Sequence, residues 1–572
     1  MNNGQSIIKG WMRDMMIDFK ALVQKAFADS EYPLIGEQVT TEELMLPMRD
    51  GARLRTFIAR PEGLNSCPFV LTRSCYPHIE ELQFETARQF AMRGIGYVVQ
   101  FCRGTGGSEG IWEPNENERN DGQDTIEWLC SLDYVESAGY LGSSYLALTG
   151  WIIADLLPEK VKTMYLSLYG TDRHVSAYMG GMFRHDVLTA WAMGNAGFEI
   201  KADYLESCLY RPHVEVDEAL WGKKLDWYRK WVTSVNPEDP YWQSGMWKTL
   251  RDIPPKINIP ICIVEGWYDH HLGSALVTYD RLSKKCKEMS HLIIGPWNHW
   301  FETALESDDG KNHGYGGNEL IRSFTWFHDI LVKKNIPQGQ ISEYIIKGDN
   351  WIESSPKENI ASYEQRQFAK YFLSASEENQ CLVDKVDSII DGERGYMYDP
   401  NDPIYSHGSE SMLKSKEKIG SLLQPQPNYR PDVLSFVSKP LEKDLVILGP
   451  VRVNLYVSSD ADDTCFVARI INVDKEGQSH YVRGGLTSLT SSLSEVYKPN
   501  SIVKISINMW NVGWLFKKGT QIRLDVQSSD FPQYSIHSNT AGCWSMQSET
   551  VCAKQKLFFG KEYTSCLELP LD

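Results

Sequence analysis

Residues Gly139-Tyr140-Leu141-Gly142-Ser143-Ser144-Tyr145-Leu146-Ala147-Leu148 constrain this chain more than any other segment. Short apolar residues run into a tight Gly-x-Ser corner, and a helix-compatible stretch through Trp151, Ile152 and Ile153 follows. Such a layout is the strand–turn–helix setting in which a sharp turn lifts a serine hydroxyl out of a parallel sheet. Gly142 suits the strained corner, because a β-carbon beside the nucleophile would have no room. The triplet alone recurs by chance in many chains, so its partners have to be found elsewhere.

Two later segments supply them. Pro260-Ile261-Cys262-Ile263-Val264-Glu265-Gly266-Trp267-Tyr268-Asp269 reads as a buried strand ending in a carboxylate. His291-Leu292-Ile293-Ile294-Gly295-Pro296-Trp297-Asn298-His299 reads as another strand with a histidine just past it. Open α/β sheets place their active sites beyond the carboxyl ends of strands. The order Ser144, Asp269, His299 is also the α/β-hydrolase order. A serine hydroxyl needs a neutral imidazole to take its proton, and the imidazole needs a buried carboxylate to fix its tautomer.

Taken together, several segments resemble a known family. They are Met48-Arg49-Asp50-Gly51-Ala52-Arg53-Leu54, Arg103-Gly104-Thr105-Gly106-Gly107-Ser108-Glu109-Gly110 and Asp121-Gly122-Gln123-Asp124-Thr125-Ile126-Glu127-Trp128-Leu129. The Gly142-Ser143-Ser144-Tyr145 elbow, Gly266-Trp267-Tyr268-Asp269 and Gly295-Pro296-Trp297-Asn298-His299 complete the set. The pattern resembles the serine hydrolases that include cocaine esterase, X-prolyl dipeptidyl peptidases and α-amino-acid ester hydrolases, and it runs from about Met48 to the C-terminus. One departure is Ala147, where members usually carry glycine; alanine is small enough for the helix–strand packing to survive.

The resemblance implies an α/β-hydrolase fold, mostly parallel with helices on both faces, an inserted helical cap and a C-terminal jelly-roll β-sandwich. It implies Ser144 as nucleophile, His299 as base and Asp269 as its orienting acid. The oxyanion hole needs two donors. One is the backbone N–H of Tyr145, which follows the nucleophile. Ser74-Cys75-Tyr76-Pro77 follows a strand where the resembled family supplies a tyrosine hydroxyl, so Tyr76 is the second. Trp267, Phe183 and Trp191 are candidate substrate contacts.

Apolar periodicity sets the organisation. Strand-like runs at 69–72, 97–101, 138–142 and 164–167 alternate with helices, which implies a parallel sheet with right-handed crossovers. Residues 171–252 read as mainly helical, with no strand-like run, and are rich in Trp, Tyr and Met. They interrupt the sheet between nucleophile and acid, the position of a cap. From about residue 341 the pattern becomes short alternating strands, as in a two-sheet sandwich. The expected units are therefore an N-terminal helical arm (1–42), the hydrolase domain in two parts (43–170 and 253–340), the cap (171–252) and the sandwich (341–572). Within the last, 374–440 reads as long exposed loops.

Composition excludes more than it identifies. The chain has 572 residues and a formal net charge of −17, with no basic run long enough to track a phosphate backbone. Twelve cysteines stand singly, with no C-x-x-C pair, which fits a reducing cytoplasm. Ile8, Trp11, Met12, Met15, Met16, Phe19, Leu22 and Val23 recur at helical spacing. The helix they imply has a mixed polar face rather than a basic one, so it packs on its own chain or a second copy rather than on a membrane. Neither an export signal nor a membrane span is expected.

No cofactor is expected. Gly104-x-Gly106-Gly107 lacks the third glycine of a dinucleotide fingerprint and the Lys-Ser/Thr of a phosphate loop. Asp269-His270-His271 looks like a metal cluster, but adjacent residues at a strand end rarely aim at one ion, so no metal is assigned. The expected activity is hydrolysis of a carboxylic ester or amide through an acyl-enzyme. An X-Pro dipeptidyl peptidase or α-amino-acid ester hydrolase would need an anion for the substrate ammonium. The early cap stretch Tyr178-Met179-Gly180-Gly181-Met182-Phe183-Arg184 offers no acid. An acyltransferase using the same triad and a silent binding protein are the remaining rivals.

Overall fold

The structure is a computed structural model that describes residues 18–36, 38–302, 319–364, 366–375, 381–410 and 419–571. Ten of its strands form one sheet. In chain order they begin with β1 (Val39–Pro47), β2 (Arg53–Pro61), β3 (Cys67–Ser74), β4 (Gly96–Phe101), β5 (Val135–Ser143) and β6 (Val161–Ser167). A small hairpin, β7 (Tyr178–Met179) and β8 (Met182–Phe183), stands apart from the sheet. The sheet resumes with β9 (Ile261–Tyr268), β10 (His291–Asn298), β11 (Gln340–Ile345) and β12 (Asn350–Ser354).

The spatial order is β1-β2-β4-β3-β5-β6-β9-β10-β11-β12. From β4 to β11 every neighbouring pair is parallel, and antiparallel strands close both ends. β3, β4 and β9 are buried at every position, as strands covered by helices on both faces must be. After β3 the chain adds β4 on one side and later returns to add β5 on the other. That reversal is a topological switch point, where the loops beyond β3 and β5 diverge and leave a crevice. Tyr76 follows the first of these strands and Ser144 the second.

Residues 171–252 lie over this edge as short helices, including Arg173–Ala177, Ala190–Gly194, Asp226–Thr233 and Gly245–Arg251. The expectation of a strand-free cap is corrected by the β7–β8 hairpin. It is too short to show period-2 alternation, and it exists because Gly180 and Gly181 take positive φ at its turn. A β-carbon at Gly180 would lie 2.2 Å from the Leu486 carbonyl oxygen, so the turn is pressed against the C-terminal domain.

The C-terminal residues form an 11-stranded, nearly all-antiparallel sheet system. Its hub is the long strand Leu445–Ser459, which pairs with Val503–Phe516, Ala553–Phe559 and Cys566–Pro570. Two boundary expectations fail here. β11 and β12 belong to the hydrolase sheet, although they lie past residue 340; period-2 alternation announces a strand but not the sheet it joins. The stretch 374–440 is not simply exposed loop. It contributes strands Cys381–Val383, Gly392–Tyr398 and Leu434–Ser438, and it delivers Glu410 into the interior.

Helix Phe19–Ala28 buries Val23 and Phe27 against its own chain. Phe27 meets Phe90 and Phe324 edge-on, with ring centroids 5.9 and 5.6 Å away. Ile8, Trp11, Met12, Met15 and Met16 lie outside the described residues. Among the described residues, no helix is long and apolar enough to cross a membrane. All twelve cysteines are free.

Candidate active site

β5 ends at Ser143, and helix Tyr145–Trp151 starts two residues later, leaving Ser144 alone at the corner with φ 57° and ψ −128°. That backbone is unfavourable for a residue with a β-carbon and persists only where its surroundings impose it. Three constraints impose it here. The Ser144 N–H donates to the Ser167 carbonyl on β6 at 3.0 Å, and the amides of Ala147 and Leu148 bond back to the Ser144 carbonyl. A β-carbon at Gly142 would sit 2.2 Å from the Leu146 carbonyl oxygen, so only glycine allows the helix to fold back so closely. Ala147 is fully buried in this packing.

β9 and β10 bring the other two groups to the same edge. His299 Nε2 lies 3.0 Å from Ser144 Oγ, and His299 Nδ1 lies 2.5 Å from Asp269 Oδ2. The second Asp269 oxygen accepts from the His271 N–H at 2.6 Å. Burial by itself would raise the Asp269 pKa, but the adjacent His299 and His270 and these hydrogen bonds hold it down at about 2. One turn of pleat away, Glu265 is fully buried on β9. Burial and the Asp269 charge push its carboxyl well above the usual range, so it stays neutral. One carboxylate is thus kept ionised and its neighbour kept protonated, a separation typical of chemical sites.

Tyr76 lines the same pocket as Ser144. Its hydroxyl accepts from Trp191 Nε1 at 3.0 Å and lies within hydrogen-bond reach of the Cys75 thiol. Burial raises the phenol pKa well above its ordinary value, so its proton is retained. Tyr145 begins the helix, and its amide is one of the first-turn donors without an intrahelical acceptor. Its side chain is tied down: the hydroxyl donates to Glu118 at 3.0 Å, and the ring stacks on Trp191 at 5.8 Å. Glu118 is itself held by a buried ion pair with Arg73 at 2.8 Å.

The structure therefore brings Ser144, Asp269, His299, Tyr76, Tyr145 and Trp191 together. It does not bring Trp267 or Phe183 to the pocket. Trp267 is fully buried, donates from Nε1 to the Tyr344 carbonyl at 2.7 Å, and packs toward the C-terminal domain. As a β9 residue it points to the face of the sheet rather than out of its end. Phe183 is sealed among Tyr178, His185 and Trp544 on the far side of the cap hairpin. The expected contacts at these two positions are corrected accordingly.

Sequence reasoning missed Asn115, Tyr169, Arg173, Val187 and His271 as pocket residues; Trp231 and His270 also line it. Only His270 and His271 carried a local signal, through their position directly after Asp269. Burial holds both imidazoles well below the ordinary histidine pKa, and neither is charged near neutrality. His271 Nδ1 is 2.8 Å from Ser176 Oγ. Asp269, His270 and His299 place one potential metal-ligand atom each within 4.8 Å of one another. Asp269 and His299 are hydrogen-bonded to each other in this arrangement.

A switch-point crevice with a serine on a strained strand–helix corner, facing a histidine and a buried acid, defines the molecule as an α/β-hydrolase. Comparison with known proteins narrows this. The model of the X-Pro dipeptidyl-peptidase (S15 family) matches residues 50–300, and that of the X-Pro dipeptidyl-peptidase C-terminal non-catalytic domain matches residues 384–568. The chain is 25% identical to a cocaine esterase from Rhodococcus sp. (strain MB1 Bresler), over 94% of this chain and 99% of that protein. An aminopeptidase from a marine sediment Thaumarchaeota archaeon shares the fold, with a TM-score of 0.76, 21% identity and coverage of 95% and 99%. An α-amino acid ester hydrolase does so with a TM-score of 0.76, 21% identity and coverage of 93% and 97%. The chain belongs to the cocaine esterase and X-prolyl dipeptidyl peptidase family of serine hydrolases, and it is a hydrolase.

Proposed function

We propose that this hydrolase cleaves carboxylic esters through a Ser144–His299–Asp269 triad and an acyl-enzyme. The observation that carries the reading is His299, bonded on one side to a carboxylate and on the other to a serine hydroxyl held at positive φ. His299 Nε2 takes the Ser144 proton as Oγ attacks the carbonyl, and Asp269 stabilises the imidazolium that results. The oxyanion receives hydrogen bonds from the Tyr145 N–H and the Tyr76 hydroxyl. Collapse expels the alcohol, which takes its proton from His299. A water activated by the same imidazole then attacks the acyl-enzyme and restores Ser144.

The chain's relatives include both esterases and peptidases. Cleavage of a dipeptide from a free N-terminus, or of an α-amino-acid ester, calls for an anion beside the substrate ammonium. The described residues lining the pocket include no aspartate or glutamate, which favours an ester without that ammonium. The test is labelling by a fluorophosphonate probe, with mass spectrometry to locate the adduct, followed by a panel of esters and X-Pro amides with and without added alcohol or amine acceptors. Adduct at Ser144 and turnover of esters to free acid are expected. Labelling elsewhere, X-Pro amides outrunning every ester, or transfer outrunning hydrolysis would each replace this reading.

A further inference from the structure

Arg173 opens the short helix Arg173–Ala177 and lines the pocket together with Ser144. Its guanidinium lies against two aromatic rings of the same pocket, 5.8 Å from the centroid of Tyr169 and 5.3 Å from that of Trp231. These contacts hold the group against the pocket wall, and one of its N–H groups donates to the Tyr169 hydroxyl. No carboxylate among the described residues pairs with it. The adjacent Asp172 turns instead to Arg281, 3.3 Å away. The Tyr169 phenol beside it is kept neutral by burial and so cannot cancel the charge.

The rest of the lining offers no compensation either. It contains no acid, and His270 and His271 are neutral. This is notable in a chain with 75 acidic and 58 basic residues, where a partner for one arginine is easily found by chance. Several other buried or half-buried arginines do pair with carboxylates: Arg73 with Glu118, Arg103 with Asp121, Arg229 with Asp217 and Arg483 with Glu410. Arg173 is left with its charge directed into a cleft walled by aromatic rings, where the effective dielectric is low and a substrate anion would be held strongly.

We infer that Arg173 determines specificity, and that the preferred substrates are esters carrying a carboxylate near the scissile carbonyl, taken up by the guanidinium N–H groups that the protein leaves without a carboxylate. This rests on the ester-hydrolase reading above. The same cation repels an ammonium in that position, so α-amino-acyl esters and free N-terminal peptides become the poorest substrates rather than the best.

The experiment compares matched pairs of esters on the same protein. In one arm the acyl half varies, with 4-nitrophenyl hydrogen glutarate against its neutral methyl-capped counterpart and the cationic 4-aminobutyrate ester. In the other arm the alcohol half varies, with 3-carboxyphenyl butyrate against its methyl ester. The readout is the ratio of kcat/KM within a pair, which cancels any general loss of fold or activity. The wild-type ratio of anionic to neutral ester should be about 10–100 in at least one arm, the scale of charge-assisted hydrogen bonds. It should fall to near 1 in Arg173→Gln and be partly kept in Arg173→Lys. A wild-type ratio near 1 in both arms, or a preference that survives Arg173→Gln, overturns the inference.

A binding measurement separates this inference from the catalytic reading. Ser144→Ala protein is titrated with whichever intact anionic ester the rates favour, or with both if nothing turns over, alongside the Ser144→Ala/Arg173→Gln double variant. Tighter binding that depends on Arg173 upholds the anion site even if no ester is ever cleaved. Equal binding by the two proteins overturns it even if Ser144 proves to be the nucleophile.

Discussion

The two large sheets of this molecule treat buried charge in opposite ways. In the C-terminal domain two fully buried arginines are matched by carboxylates. Arg483 donates to Glu410 at 3.1 Å and to the carbonyls of Trp267 and Asn511, both at 2.7 Å. Arg523 grips Asp525 through two nitrogens, at 2.7 and 2.6 Å. Near the carboxyl ends of β9 and β10, titratable groups are instead crowded with few opposite charges: Glu265 within β9, then Asp269, His270, His271 and His299 beyond the strands. Their protonation states are driven apart, with Asp269 held at about 2 and Glu265 raised well above a normal carboxyl. Matched charges clamp a fold, whereas unmatched and separated ones are a store of reactivity. One of the clamps also serves the reactive sheet. Arg483 holds the carbonyl of Trp267, two residues before Asp269, so the sandwich braces the strand that presents the acid.

The hardest test of this contrast is Ser144→Ala. Hydrolysis should fall by roughly 10⁶-fold while the thermal transition barely moves, because members of a triad act as a unit and contribute little to folding. Near-normal turnover in a folded variant would remove the reactive half of the comparison.

Arg483→Met probes the clamping half. It strands the fully buried Glu410 carboxylate, and breaking such a pair costs about 3–5 kcal/mol of stability. Denaturant unfolding should show that loss, and the double variant with Glu410→Gln should recover part of it. A loss under 1 kcal/mol would mean that water or another group takes over the role of Arg483.

Tyr76→Phe keeps the ring and deletes only the hydroxyl. If that hydroxyl donates to the oxyanion, kcat should drop about 10²–10³-fold with KM nearly unchanged, equivalent to roughly 3–4 kcal/mol. Steady-state kinetics on an ester whose acylation is rate-limiting would read this. A change in KM alone would make Tyr76 a packing residue.

Glu265→Gln is the mildest change, since the native side chain is already neutral. Turnover at neutral pH should stay within a few-fold of normal. Stability should separate the two proteins as pH changes. The folded pKa of Glu265 is raised above its ordinary 4.5, so its contribution is fully present below 4.5 and is lost as pH rises toward the folded value. The variant has no proton to lose, and its melting temperature relative to the native protein should climb from pH 5 to pH 9. A constant difference across that range would show that Glu265 is not held protonated by the fold.

Much of the candidate site was legible because strand-end chemistry is local. Ser144, Asp269 and His299 each sit within a few residues of a buried run that announces its strand, and Gly142 marks the one sharp corner. Tyr76, two residues past β3, was named through the family resemblance, because nothing in its own segment marks a donor. Trp267 misled because it stands in the right motif but points sideways; position in a strand says which residues are near an end, not which way a side chain leaves it. Phe183 and Trp191 looked equivalent as cap aromatics, yet a two-residue hairpin carries the first away, and the helix Ala190–Gly194 carries the second to Tyr76.

By itself the sequence determined the hydrolase sheet, the strand ends that carry Ser144, Asp269 and His299, and the change to antiparallel strands toward the C-terminus, since each is written in periodicities and turns spanning ten residues or fewer. Tertiary structure alone decided that β11 and β12 extend the first sheet, that Glu410 comes from an apparent loop to meet Arg483, and that Arg173 lines the Ser144 pocket without a carboxylate partner. Those outcomes depend on hydrogen bonds and packing between segments tens to hundreds of residues apart. No local pattern encodes such contacts, because each side contributes only half of the interaction and the fold brings the halves together.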